Sequence, residues 1–230
     1  MIKAILMDFN GVIINDEPVQ MAAYQEVLGK EGIELTEANY YGSLGMDDRT
    51  FTRASYERAS KACDEVKVSE ITAAKTAAWK AAISRGMPLF EGVEDFIAKS
   101  AQEFALGLVS MAKREEIEHV LIETGLHKYF SVLVTAEDVS NCKPDPECFR
   151  IGFEKLDAHR TAGGHYPITH NECLVIEDSP PGVKAAKAAD LRALGVTNTV
   201  DAAALRAAGA EAIAKDLRDW FPESIRLVFN

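Results

Sequence analysis

No stretch of this chain approaches the roughly eighteen apolar residues that a membrane-spanning helix needs, which excludes a helical span. It also lacks a basic leader followed by an apolar segment. Met1 runs straight into strand-like sequence, and a cytoplasmic protein is the expectation. Cysteine is scarce: Cys63, Cys142, Cys148 and Cys173 are the four present. They lack metal-ligand spacing and read as reduced, mostly buried thiols. The five histidines, His119, His127, His159, His165 and His170, are scattered and read as surface or loop residues, not as a zinc site. Positive charge is outnumbered, 25 Lys and Arg against 36 Asp and Glu, for a net charge of -11. That balance argues against a nucleic-acid backbone as partner. It leaves room for a small anion, because a few local cations or a bound metal reverse the field inside a pocket. Internal repeats and low-complexity runs are also missing.

What is present is apolar: 47% of 230 residues, enough for one large domain or for a core with a smaller companion. The opening stretch organises the rest. Residues 2–7 are mostly apolar and end abruptly at Asp8, followed by Phe9, Asn10 and Gly11. Such a run predicts a buried strand of a parallel sheet, and open α/β sheets place ligands at the carboxyl ends of their strands.

Further along, Asp16, Glu17 and Pro18 predict a helix start, with Val19, Ala22, Ala23, Val27 and Leu28 at helical spacing. Short helices are expected from Thr36 and over 49–62, 68–85 and 91–104, with no strand between residues 16 and 88. The simplest account is an all-helical insert, residues 16–87, in an α/β domain made of residues 1–15 and 88–230. Strands are then expected at 104–110, 129–135, 173–176 and 191–196, with an edge strand near 212–213. Helices are expected at 113–124, 147–156, 183–189 and 202–208. Residues 157–171 and 179–182 read as loops and 216–230 as a packed tail. The alternation predicts a three-layer, Rossmann-like parallel sheet carrying a helical-bundle insert.

Four polar signals follow apolar runs: Asp8, Ser110, Lys143 and Glu177-Asp178. Singly, each reads equally well as a strand terminator, a cap or a solvated loop residue. Together, on one edge of a parallel sheet, they form a site in which clustered carboxylates need a divalent ion and a lysine as counter-charge. The fitting chemistry is phosphoryl transfer through an aspartyl-phosphate. Asp8 is the candidate nucleophile, Glu177 and Asp178 are candidate ligands of Mg²⁺, and Ser110 and Lys143 would hold the phosphoryl oxygens.

The pattern closely resembles the haloacid dehalogenase superfamily, in particular its phosphatase and beta-phosphoglucomutase-like branch. Asp8-Phe9-Asn10-Gly11-Val12 matches the first motif, Ser110 the second, Lys143-Pro144-Asp145 the third, and residues 177–183 the fourth. The resemblance implies Mg²⁺-dependent hydrolysis of a small phosphorylated metabolite such as a sugar phosphate. It implies that the insert is a cap closing over the substrate, hinged near 14–18 and 84–91. It also implies that Arg49, in the loop 45–49, meets the substrate, with Lys75 a weaker cap candidate, and that the backbone carbonyl of residue 10 is a metal ligand.

Asn10 departs from the pattern, because the family's phosphatases and mutases carry there a second Asp that protonates the leaving oxygen. An amide donates and accepts hydrogen bonds but cannot carry that proton. The residue is compatible with a slower or more selective phosphatase, with phosphometabolite binding without turnover, or with an engineered exchange that traps a complex. A sugar phosphate mutase is disfavoured, since both half-reactions need proton transfer and the helix after the first motif offers Glu17, Gln20 and Gln25 but no His. A phosphonate-cleaving lysine (Lys30, Lys61 or Lys75) and a metal-free dehalogenase fit poorly.

Overall fold

Ala4–Met7 (β1) is four apolar residues buried on both faces, and it forms the centre of a six-stranded parallel sheet. The other strands are Ala105–Val109 (β2), Val132–Val134 (β3), Cys173–Glu177 (β4), Arg192–Val196 (β5) and Ala212–Ala214 (β6), in the spatial order β3-β2-β1-β4-β5-β6. The structure, a computed structural model, describes residues 1–218 and 220–229. Successive β1 side chains part to opposite faces, as the strand period requires. Ile5 and Met7 join one apolar layer and Ala4 and Leu6 the other.

The chain leaves β1 through the helices Glu17–Lys30 (α1), Glu37–Tyr41 (α2), Asp48–Arg58 (α3) and Glu65–Ile83 (α4). Acids cap two of them: Asp47 accepts from the Thr50 amide at 2.7 Å and Asp64 from the Lys67 amide at 2.8 Å. These helices share an apolar cluster containing Tyr24, Leu28, Phe51 and Ile71, while Trp79 and Ile83 reach the layer under the sheet. The remaining helices are Val93–Ser100 (α5), Arg114–Glu123 (α6), Glu147–Ala162 (α7), Pro180–Ala188 (α8), Ala202–Ala208 (α9) and Pro222–Val228 (α10). Helices α5, α6 and α10 cover one face of the sheet and α7, α8 and α9 the other, which gives the three expected layers. Among the described residues, no helix is long and apolar enough to cross a membrane.

The structure corrects three local expectations. Helix α7 runs on to Ala162, through residues whose polarity suggested a loop. That polarity belongs to a solvated helix face. Pro180 and Pro181 form the first turn of α8, where a prolyl nitrogen costs nothing and Ser179 caps the Gly182 amide. The tail contains α10.

The register positions the chemistry. Met7 lies beside Ile176, so Asp8 and Glu177 emerge next to each other at the carboxyl edge. β1 is flanked by β2 on one side and β4 on the other, and the chain crosses it between β3 and β4. This is where a doubly wound sheet opens a crevice.

Candidate active site

Asp8 follows β1 directly, and its amide donates to the Ile176 carbonyl at 3.0 Å, which ties the end of β1 to β4. Gly11 then turns the chain with φ of 76°, and a Cβ there would fall 1.8 Å from Asp178 Oδ2. Only glycine lets this backbone come so close to the carboxylate. Gly182 plays the same part at the start of α8, where a Cβ would lie 1.7 Å from Glu177 Oε1.

Lys143 joins the acids. Its Nζ donates to Asp8 Oδ1 at 2.8 Å and to Glu177 Oε1 at 2.6 Å, all three groups being buried. Glu177 Oε2 accepts from the amides of Asp178 and Ser179 and from the Ser179 hydroxyl, each at 2.9 Å. Asp8, Glu177 and Asp178 each offer an oxygen within 4.8 Å of the others. Ser110, buried at the end of β2, accepts from the Ala112 amide at 3.1 Å and lines the same cavity. The structure therefore brings together Asp8, Ser110, Lys143, Glu177 and Asp178.

Burial pushes the Asp8 carboxyl up to about 7 against the opposing pull of Lys143. Burial, reinforced by Glu177 and Asp8, raises Asp178 well above the usual carboxylate range. Burial alone would lower Lys143, but Asp8 and Glu177 outweigh it and hold the ammonium charged. One lysine does not balance three acids. Hard oxygens, clustered and desolvated with charge to spare, are the donor set that suits a magnesium-like cation.

Asn10 lies beside this group, and its Nδ2 donates to both oxygens of Asp16, at 3.0 and 3.1 Å. Asp16 is fully buried, and it also accepts from Gln20 Nε2 at 2.9 Å and Trp79 Nε1 at 2.7 Å. Burial raises its pKa against these three donors. Sequence reasoning took Asp16 for the start of α1. It does precede that helix, but its carboxylate caps nothing and instead fixes the Asn10 amide.

Lys75 is buried where α4 meets α6. Its Nζ is 2.9 Å from Asp48 Oδ1 and 3.2 Å from both oxygens of Glu116 on α6, and Thr76 donates to Glu116 at 2.6 Å. Both carboxylates outweigh burial and keep Lys75 charged. Arg49 is not brought to the cavity. Its guanidinium pairs with Glu65 at the surface, half-exposed, because the capped first turn of α3 turns Asp48 inward and Arg49 outward. The loop before it does close on the site: a Cβ on Gly45 would sit 2.8 Å from Pro181, and the Asp47 amide donates to Cys142 Sγ at 3.4 Å.

The cavity is about 100 Å³, and on its helical side it is lined by Glu17, Gln20, Tyr24, Tyr40 and Asp48. Asp48 belongs to the loop 45–49 that the motif resemblance placed at the substrate, and sequence patterning identified none of the other four as site residues. Burial pushes the Glu17 carboxyl, which accepts from the Tyr40 hydroxyl at 2.6 Å, up to about 7.

These shifts set a pH dependence. Between a carboxyl's unfolded pKa, near 4, and its raised folded value, the folded state binds more protons than the unfolded one. Stability therefore falls as pH rises through that window. In calorimetry of metal-free protein, the melting midpoint should fall by about 5 °C between pH 5 and pH 8, taking roughly 2 kcal/mol at 2–4 °C per kcal/mol. A midpoint that rises over this range would show that Asp8 and Glu17 are not held as described.

Comparison with known proteins extends the picture. The family model described as haloacid dehalogenase-like hydrolase matches residues 5–196. A phosphorylated carbohydrates phosphatase of Thermotoga maritima is 30% identical, over 93% of this chain and 94% of its own. Validoxylamine A 7'-phosphate phosphatase of Streptomyces hygroscopicus subsp. limoneus is 28% identical, over 95% of this chain and 96% of its own. Among solved structures, a beta-phosphoglucomutase from Clostridium difficile superposes with a TM-score of 0.87 at 21% identity, over 100% of this chain and 98% of its own.

Proposed function

The chain belongs to the haloacid dehalogenase-like hydrolase family, and from that premise we propose that it is a Mg²⁺-dependent phosphatase of a small sugar phosphate, working through a phosphoryl group on Asp8. The observation that carries this reading is the buried convergence of Asp8, Glu177, Asp178 and Lys143 from three separate segments. The two relatives described above are phosphatases by name, which favours hydrolysis. The beta-phosphoglucomutase likeness, at 21% identity, is a likeness of fold.

In this reading an Asp8 oxygen attacks phosphorus and the ester oxygen departs on the opposite side, in line. Water then attacks the aspartyl-phosphate and releases inorganic phosphate, restoring the Asp8 carboxylate. Lys143 orients Asp8 and, with Ser110, offers donors to the phosphoryl oxygens as charge develops on them. Asp8, Glu177, Asp178 and the Asn10 carbonyl would hold Mg²⁺, which supplies charge neutralisation at the phosphoryl group. The insert, residues 16–87, acts as the cap: it closes the cavity over the ester and excludes water from the first step. The four unpaired cysteines suit a reducing, cytoplasmic setting.

Asn10 gives a second reading some footing. Its amide, locked onto Asp16, has no proton to give a leaving oxygen, so turnover of sugar phosphates is slow, and in the second reading they are bound without release of phosphate.

The test is phosphate release from a panel of sugar phosphates with Mg²⁺ or with EDTA, with acid-quenched protein examined by mass spectrometry. The expected result is metal-dependent release, with one phosphoryl group on the peptide containing Asp8. Release that is indifferent to EDTA, or a phosphoryl group on another residue, would refute the mechanism.

A further inference from the structure

We propose that the helical side of the cavity selects a leaving group rich in hydrogen-bond donors and free of a second negative charge, an uncharged or amine-bearing polyol, with Gln20 Oε1 as a specificity-determining acceptor. This rests on the phosphatase reading and narrows its substrate class.

The donors of that wall are already engaged with the protein. The Tyr24 hydroxyl donates to Asp48 at 2.6 Å and the Tyr40 hydroxyl to Glu17 at 2.6 Å. Lys75 is shared between Asp48 and Glu116. The Gln20 amide nitrogen is turned to Asp16 at 2.9 Å, which leaves Oε1 as the free end of a buried side chain. That oxygen accepts no hydrogen bond from any described protein group. A buried amide oxygen without a donor is costly; Gln20 is one of the side chains lining the cavity, and a ligand donor that reaches this covered oxygen as the wall adjusts would remove that cost.

Charge points the same way. The described cations lining the cavity are Lys143, committed to the carboxylate cluster, and Lys75, committed to Asp48 and Glu116. Arg49 faces Glu65 outside. Glu17, Asp48 and Glu116 therefore meet a ligand's far end without a spare cation. Oxygen atoms of a second phosphate or a carboxylate can only accept hydrogen bonds. Against this wall they would face acceptors and lose their water without replacement, a penalty that excludes such compounds. Hydroxyl and ammonium groups find partners at Gln20 Oε1 and at the carboxylates.

The experiment measures binding calorimetrically with Mg²⁺ in the Asp8→Asn variant, so that turnover does not intervene. The probes are inorganic phosphate, hexyl phosphate, glucitol 6-phosphate, glucosamine 6-phosphate, 6-phosphogluconate and fructose 1,6-bisphosphate. Glucitol 6-phosphate and 6-phosphogluconate are the decisive pair, because they differ only in a terminal carboxylate. The first should bind at least tenfold more tightly, with glucosamine 6-phosphate in the same range. In Gln20→Met, glucitol 6-phosphate should weaken about tenfold while hexyl phosphate, which offers no hydroxyl, is unchanged. Equal or tighter binding of 6-phosphogluconate or the bisphosphate overturns the inference, as does a Gln20→Met variant that binds both probes as before or weakens for both alike. Binding of inorganic phosphate with no gain from any organic group overturns it too, while leaving the phosphatase reading in place. Failure of every probe, inorganic phosphate included, removes both.

Discussion

Asn10→Asp should raise the turnover of a sugar phosphate by about 10²- to 10⁴-fold, the usual worth of a positioned general acid. The geometry prepares the exchange. Asn10 Nδ2 donates to both Asp16 oxygens at 3.0 and 3.1 Å, so an aspartate there would meet a second carboxylate at the same separation. Two such groups, out of water, do not both ionise. They share a proton, and Gln20 and Trp79 remain to steady Asp16. Residue 10 would then hold the proton that the departing oxygen needs. The gain should be greatest for alkyl phosphates, whose leaving groups most need protonation, and slight for aryl phosphates, whose leaving groups depart unaided. A variant no faster on any ester, at full Mg²⁺ occupancy, would show that residue 10 does not limit this protein.

Lys143→Met should lower phosphate release by about 10³-fold, in line with losing a donor to the transferring group. It should also destabilise the metal-free protein by about 3–5 kcal/mol, the cost of stranding buried charge. Asp8 Oδ1 and Glu177 Oε1 lie 2.8 and 2.6 Å from the ammonium and would lose the positive charge between them. They can escape only by taking up protons, so the melting deficit should be large at pH 8 and smaller at pH 5. Added Mg²⁺ should recover stability but not rate, because it restores charge balance without replacing the lysine's hydrogen bonds. If the midpoint stays level at pH 8, the lysine is not the counter-ion described here. If activity persists, it does not assist the transfer.

The sheet and its acids were legible in the sequence for one physical reason. A strand buried on both faces reads as an unbroken apolar run, so a carboxylate at its end stands out. Asp8 and Glu177-Asp178 are of this kind, and the parallel topology then required them to meet. The helical side of the cavity was not legible. Residues facing an internal cavity break the rule that polar side chains lie outside. Gln20 is buried on α1 with Tyr24 and Leu28, and periodicity does not distinguish it from an ordinary polar residue of a surface helix. Glu116 directly precedes the apolar stripe of α6 and reads as first-turn acid, yet it is fully buried against Lys75, 41 residues away in the chain. Arg49 is the reverse case: a motif placed it at the substrate, and in this structure helix phase turns it to Glu65.

The alignment of β1 with β4 has a kinetic consequence. Asp8 and Glu177 are neighbours only when Met7 stands opposite Ile176, and a slip of one residue would send each carboxylate to the wrong face. Until those two strands have zipped in register, nothing in the chain can grip a divalent ion. Mg²⁺ should therefore leave the refolding rate almost untouched and retard unfolding, acting as a lock on the finished sheet rather than as a seed for it.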